Sequence, residues 1–248
     1  MIYNVDVADV RDVFVNLLYT QQFVQDKSGV KCLEIENASF IANEPTIFGA
    51  PNEYIDRELA WYKSQSLNVN DIPAPVPQIW KNVATKEGLI NSNYGWCIWS
   101  KENGSQYNAC LKQLISNPDS RRAVMIYTRP NMQTDYNKDG MSDFMCTSNV
   151  QYMIRNNKLH SYVYMRSSDS VMGYKNDWAW QNHVLEELLA DLKFTYPNLE
   201  KGDITWNACS LHVYEPHFYL VDHYKETGQT AIAKKDYKFL YPDSPYSV

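Results

Sequence analysis

At 248 residues, with 44% hydrophobic and 21% charged residues, the chain has the make-up of a globular protein large enough to bury a core. Its net charge of −6 argues against a basic face for gripping DNA, so no direct DNA binding is expected, and no run of about 18 apolar residues offers a membrane helix. The five scattered cysteines contain no Cys-x-x-Cys pair, and the opening MIYNVDVADVRDVF lacks the basic and apolar regions of a signal peptide. A disulfide framework and a zinc-thiolate site are thus disfavoured, and a cytoplasmic location is expected.

No internal repeat or Gly/Ser linker interrupts the chain, which reads as a single domain over residues 1–248. Residues 7–23 bring Val10, Val13, Phe14, Leu17 and Leu18 to one helical face. VKCLEIENASFIA (30–42) predicts a strand or hairpin, and NEYIDRELAWYKS (52–64) a helix. The Pro-rich DIPAPVPQIW (71–80) reads as a loop. YNACLKQLIS (107–116) is helical up to Asn117-Pro118, and AVMIYT (123–128) is a strand. VQYMIR (150–155) and KLHSYVYMR (158–166) flank Asn156-Asn157, a hairpin signal. A long amphipathic helix over 177–192, a strand over 204–215 and a helix from Pro216 complete the pattern. Strands and helices mix without strict βαβ alternation, which gives an α+β class.

DYNKDG (135–140) places Asp135, Asn137, Asp139 and Gly140 at positions one, three, five and six of an EF-hand loop. Position twelve needs a bidentate glutamate and is Cys146, and a strand pattern follows where a helix should exit. A polar turn accounts for the same residues. His212, His217 and His223 lack the i, i+4 spacing of a zinc helix, so no metal is expected. Most cysteines are small buried hydrophobes; Cys146 becomes a nucleophile only beside cations, a helix N-terminus or a base. Cations do cluster in the sequence. Arg121 and Arg122 precede a strand, YMRSSD (164–169) sets Arg166 beside hydroxyls, and DKSGVK (26–31) is a cationic glycine loop. Guanidinium groups bond phosphate bidentately, although each of these alone reads as a solvated surface group.

Eight segments then occur in a telling order: RELAWY (57–62), QIW (78–80), NYGW (93–96), NPDSRR (117–122), Cys146 ahead of NVQYMI (149–154), MRSSD (165–169), GYKND (173–177) and SLHVY (210–214). In them the chain resembles the thymidylate synthase superfamily over nearly its full length. The resemblance implies a thymidylate synthase-like fold, a large mixed β-sheet covered by helices and packed at a homodimer interface. It implies that Cys146 is the nucleophile that adds to carbon 6 of a pyrimidine, with Glu58 organising water and proton transfer and Tyr94 near the thiol. Arg166 and Ser167 match phosphate ligands. Arg121 and Arg122 match arginines that reach into the neighbouring subunit's site, and Lys27 stands where the family has a flexible phosphate-loop arginine. His212 and Tyr214 match residues that hold the deoxyribose hydroxyl, and Trp80 and Asp169 match folate contacts. The implied co-substrate is 5,10-methylenetetrahydrofolate.

Two departures from the synthase pattern bear on the substrate. Synthases carry Asn at the position of Asp177. An ionised carboxylate is acceptor-only, so it repels uracil's carbonyl but accepts from cytosine's amino group and from its protonated ring nitrogen. Asp177 therefore points to dCMP, unless it merely caps the helix over 177–192. Synthases also have PCH where this chain has MCT (145–147). Thr147 is smaller than His and can bond water, which suits completion by water, activated by Glu58, in place of hydride. Hydroxymethylation of dCMP is the implied reaction. DYNKDGMSDFMCT and NSNYGW look close to phage members, which implies an infected bacterial cytoplasm and a nucleotide-precursor complex as a possible setting. A synthase acting on dUMP and a catalytically silent nucleotide-binding homologue stand as alternatives, and YPDSPYSV (241–248) fits the synthase tail poorly.

Overall fold

The computed structural model describes residues 5–25, 29–135 and 137–247. In chain order the elements begin with helix α1 (Val7–Tyr19), strands β1 (Val24–Gln25) and β2 (Lys31–Ile41), and helices α2 (Tyr54–Ser64), α3 (Gln78–Val83), α4 (Tyr94–Trp99) and α5 (Gln106–Ser116). Strand β3 (Val124–Ile126), the one-turn helix α6 (Met132–Asp135) and strands β4 (Thr147–Arg155) and β5 (Lys158–Met165) follow. Then come β6 (Ser168–Asp169), α7 (Tyr174–Leu192), β7 (Glu200–Tyr214), α8 (Phe218–Thr227) and α9 (Lys234–Leu240). These elements pack as two compact units, one from the described parts of 1–52, 166–178 and 205–248, the other from 53–165 and 179–204.

In the first unit β2 pairs antiparallel with β7, from Cys32 opposite Tyr214 to Ile41 opposite Thr205, and β1 pairs with β2. Two-residue β6 runs parallel to β7, with Asp169 opposite His212. α1 is started by a capping box, in which the Asp6 carboxylate accepts from the Ala8 and Asp9 amides while Asp9 accepts from the Asp6 amide. Its buried face is Val7, Val10, Arg11, Phe14 and Leu18; Val13 is exposed and Leu17 only half-buried, contrary to expectation. Arg11 is buried with four of its five N–H donors engaged, by both Glu44 oxygens and by the Thr46 and Ile47 carbonyls. The helix stops at Tyr19, short of the expected 23, as Gln21 turns to φ 55°.

In the second unit β3, β4 and β5 form an antiparallel meander. The β4–β5 hairpin closes at Asn156 and Asn157, with φ 51° and 59°, the pair of positive values a type I′ turn requires. A bulge between Thr147 and Asn149 breaks the ladder at its start, one residue after Cys146. Residues 200–204 of β7 continue beside β5, where the Asp203 amide donates to His160 Nδ1 at 3.0 Å. The core is aromatic: Trp61, Tyr127, Tyr152 and Trp180 are buried, and each such side chain contributes about 1.5–3 kcal/mol or more. α4 lies against α2 so closely that a Cβ on Gly95 would sit 1.8 Å from the Tyr62 carbonyl oxygen. The short helices α3, α4 and α9 were not expected, and α3 occupies the end of the Pro-rich stretch predicted as loop.

Candidate active site

The NYGW motif is built to present one tyrosine. Asn93 is fully buried and caps α4, its Oδ1 accepting from the Trp96 amide at 2.8 Å. Its Nδ2 donates to the Trp61 and Ser66 carbonyls, which ties α4 to α2 and the turn beyond. Tyr94 stacks on Tyr62 at 5.0 Å and 19°, and Tyr62 in turn meets Trp61, whose ring is T-shaped to Trp80 at 5.2 Å. A continuous run of rings thus joins Tyr94 to Trp80.

Cys146 is half-buried and reduced, between the buried Met145 and Thr147. The loop that carries it is pinned by Asp143, a residue the sequence reading passed over. Its buried carboxylate accepts from the Asn91 and Ser92 amides, each at 2.8 Å, and from Ser92 Oγ at 2.7 Å. The amides of Ser142 and Asp143 both donate to the Val83 carbonyl at the end of α3. The segment leading to Cys146 is therefore held both to the approach to NYGW and to the Trp80 helix. Thr147 departs from expectation. It is fully buried, and its hydroxyl bonds Tyr94 Oη at 3.0 Å and Met165 Sδ at 3.2 Å, so it engages the tyrosine of NYGW.

Glu58 sits on the buried face of α2, where Tyr54, one turn earlier, donates its hydroxyl to Glu58 Oε1 at 2.9 Å. The Trp80 indole N–H donates in turn to that hydroxyl. Within the second unit Tyr54 thus links Glu58 to Trp80, and Thr147, the residue after Cys146, meets Tyr94. Arg121 and Arg122 stand exposed on the turn before β3, where the Arg121 carbonyl accepts from Gln151 Nε2 at 2.8 Å.

The first unit gathers a second group. Asp169 accepts the Val171 and Met172 amides on Oδ1, and its β6 neighbour across the ladder is His212. His212 is buried, in hydrogen-bond reach of Ser210 Oγ at 3.1 Å, and its ring is T-shaped to Tyr214 at 4.9 Å. Burial lowers its pKa, against the upward pull of Asp169 and Glu34, and Arg166 adds to the lowering. The imidazole is therefore biased to the neutral form, suited to a hydroxyl partner. Arg166 is exposed and Ser167 half-buried on the segment entering β6. Asp177 is half-buried in the first turn of α7, and its amide donates to the Gly173 carbonyl at 3.0 Å. α7 starts three residues before the expected 177, so Asp177 lies inside the helix and the N-cap reading fails.

Lys27 lies outside the described residues. The EF-hand pattern falls on the end of α6 and a 3-10 turn, with Asp135 accepting from Asn131 Nδ2 at 2.9 Å and a strand following Cys146. Among the described residues no group of three or more His, Cys, Asp or Glu side chains is placed to hold a metal.

Comparison with known proteins narrows the chemistry. Residues 50–235 match the family model described as Thymidylate synthase. A deoxycytidylate 5-hydroxymethyltransferase of Enterobacteria phage T6 is 60% identical over 239 residues, 94% of this chain and 97% of that protein. The enzyme of the same name from Enterobacteria phage T4 is 60% identical over 242 residues, 95% of this chain and 98% of that one. A thymidylate synthase of Bacillus subtilis subsp. natto is 29% identical over 168 residues, 65% of this chain and 57% of that protein.

Proposed function

Because the chain belongs to the thymidylate synthase family, we propose that it is a deoxycytidylate 5-hydroxymethyltransferase, converting dCMP to 5-hydroxymethyl-dCMP. The observation that carries this reading is the high identity to the phage hydroxymethyltransferases along nearly the whole of both chains, against a lower and shorter match to a synthase.

The chemistry follows from what a pyrimidine lacks. Carbon 5 of cytosine is a poor nucleophile until the Cys146 thiolate adds to carbon 6 and turns the ring into an enamine. Methylenetetrahydrofolate, the one-carbon donor of the family, supplies a unit at the oxidation level of formaldehyde. The half-buried indole of Trp80 offers the kind of surface a pterin stacks on, with Asp169 as a polar contact. Asp177 accepts from the cytosine amino group and protonated ring nitrogen and so stabilises the charge that thiol addition creates. Carbon 5 takes up the one-carbon unit and loses its proton, and the bond from that unit to the folate nitrogen breaks to release tetrahydrofolate. Water activated by Glu58 adds to the exocyclic methylene so formed, and the Cys146 bond to carbon 6 breaks to restore the ring. Tyr94 steadies the region of the thiol. Arg166 and Ser167, with Lys27 and a partner subunit's copies of Arg121 and Arg122, hold the phosphate, and His212 and Tyr214 hold the sugar hydroxyl. Remote binding energy then orients the reacting ring.

This reading includes a homodimer with shared sites, built on one domain over residues 1–248. The family match takes in segments of both compact units, which supports the single domain. It also includes the cytoplasm of a phage-infected bacterium as the setting and no direct DNA binding.

Incubation with dCMP or dUMP and methylenetetrahydrofolate, with products resolved by mass spectrometry, tests the proposal. The expected product is 5-hydroxymethyl-dCMP with oxygen drawn from labelled water, and Cys146→Ser abolishes it. Thymidylate and dihydrofolate from dUMP instead identify a synthase. Nucleotide binding without turnover, indifferent to Cys146→Ser, identifies a silent homologue.

A further inference from the structure

Tyr54 belongs to none of the roles assigned above, yet it stands between two of them. It lies one helical turn before Glu58, so the two side chains share a face of α2. An indole N–H is only a donor, so the bond from Trp80 Nε1 must use a lone pair of the Tyr54 hydroxyl. The tyrosine's own proton is then directed to Glu58 Oε1, 2.9 Å away. The polarity of the relay, from indole to hydroxyl to carboxylate, follows from donor chemistry alone.

The ring that carries this hydroxyl is itself held. The Arg57 guanidinium lies 5.2 Å from its centroid and donates to the Pro73 and Pro75 carbonyls, fixing the Pro-rich stretch that leads into α3. Trp80 on α3 is braced edge-on against Trp61. Burial, reinforced by the adjacent Glu58 charge, pushes ionisation of Tyr54 far up, so it keeps its proton and stays a donor towards Glu58. A donor of this kind favours the ionised carboxylate and restricts its rotation.

We propose that Tyr54 is the positioning residue for Glu58: its hydroxyl, oriented by the Trp80 indole, fixes the carboxylate and joins it to the ring expected to meet the one-carbon donor. The inference rests on the roles of Glu58 and Trp80 given under the proposed function. It adds that engagement of the donor at Trp80 and readiness of the base at Glu58 are linked through one oxygen atom.

The test is Tyr54→Phe, which keeps the ring and the Arg57 contact and deletes one oxygen. For dCMP, kcat falls about tenfold with KM nearly unchanged, as loss of a hydrogen bond to a charged group predicts. The acidic limb of the kcat–pH profile moves to higher pH, because the carboxylate has lost a donor to its ionised form. Trp80→Phe, which frees the hydroxyl to rotate, shifts the limb the same way by a smaller amount. The Glu58 carboxyl, followed by 13C NMR and assigned with Glu58→Gln, titrates at higher pH in Tyr54→Phe than in the unaltered chain. That last reading needs no turnover, so it separates this proposal from the assigned reaction. An unaltered chain that makes no hydroxymethyl product overturns the reaction, whereas unchanged Glu58 titration in Tyr54→Phe overturns the relay.

Discussion

Thr147 Oγ1 reaches Tyr94 Oη over 3.0 Å inside a fully buried contact, so the residue after the thiol and the tyrosine of NYGW are one hydrogen-bonded pair. Thr147→Val keeps the shape and removes the hydroxyl. It should lower kcat about three- to tenfold and cost roughly 1 kcal/mol of stability, read from steady-state kinetics and urea unfolding. A variant with unaltered kinetics would show that the packing of the tyrosine ring, against Tyr62, Tyr127 and Trp180, places it without this bond.

Asp177 lies in the first helical turn of α7, past the N-cap, with its amide donating to the Gly173 carbonyl, and the proposed reaction gives its carboxylate the reading of the base. Asp177→Asn should move the ratio of kcat/KM for dCMP over dUMP towards dUMP by about a hundredfold or more. Competition assays with both nucleotides measure it, and constant selectivity refutes the base-reading role.

Gly95 is required by space. Its hypothetical Cβ falls 1.8 Å from the Tyr62 carbonyl oxygen, a backbone atom that cannot swing aside. Gly95→Ala should destabilise the protein by about 3 kcal/mol or more, seen as a lower urea midpoint, and shift Tyr94 enough to weaken activity in what remains folded. A near-neutral substitution would mean that α2 and α4 can separate without loss.

Burial lowers the pKa of His183, His212 and His217, in each case as the largest influence. The unfolded chain then binds more protons than the folded one as pH falls through about 6.5, so stability is retained above that value and lost below it. Urea midpoints measured at about pH 7.5 and about pH 5.5 should fall on acidification. A midpoint that stays level or rises contradicts the buried, neutral state of these rings.

Local chemistry was legible wherever one short segment decides the outcome. The Asn156-Asn157 turn is readable because only its residue types tolerate two successive positive φ values. The strand after Cys146 alternates plainly enough to dismiss an EF-hand exit helix. The short helices α3 and α4 span too few turns to show a period, and β1 and β6, two residues each, exist only through their partners. Nothing in the sequence marks Arg11 as buried, because its burial depends on Glu44 and two carbonyls more than 30 residues away. Around the candidate site, the motifs named the residues to look for but not those that hold them in place. Asp143 works on backbone amides some fifty residues away, which no spacing announces. Tyr54 did carry a signal, the i, i+4 spacing to Glu58 in YIDRE.

The Val83 carbonyl, which receives the amides of both Ser142 and Asp143, sets an order of events during synthesis on the ribosome. α3 is six residues long, too short to persist alone, since a helix of that length cannot repay its nucleation. Its brace arrives only about sixty residues later, when the Cys146 loop leaves the exit tunnel, several seconds on at ordinary elongation rates. Until then α3 has its contacts with α2, from Trp80 to Trp61 and Tyr54, to hold it. The brace between the Cys146 loop and α3 is thus a late addition, made only when both segments have been synthesised.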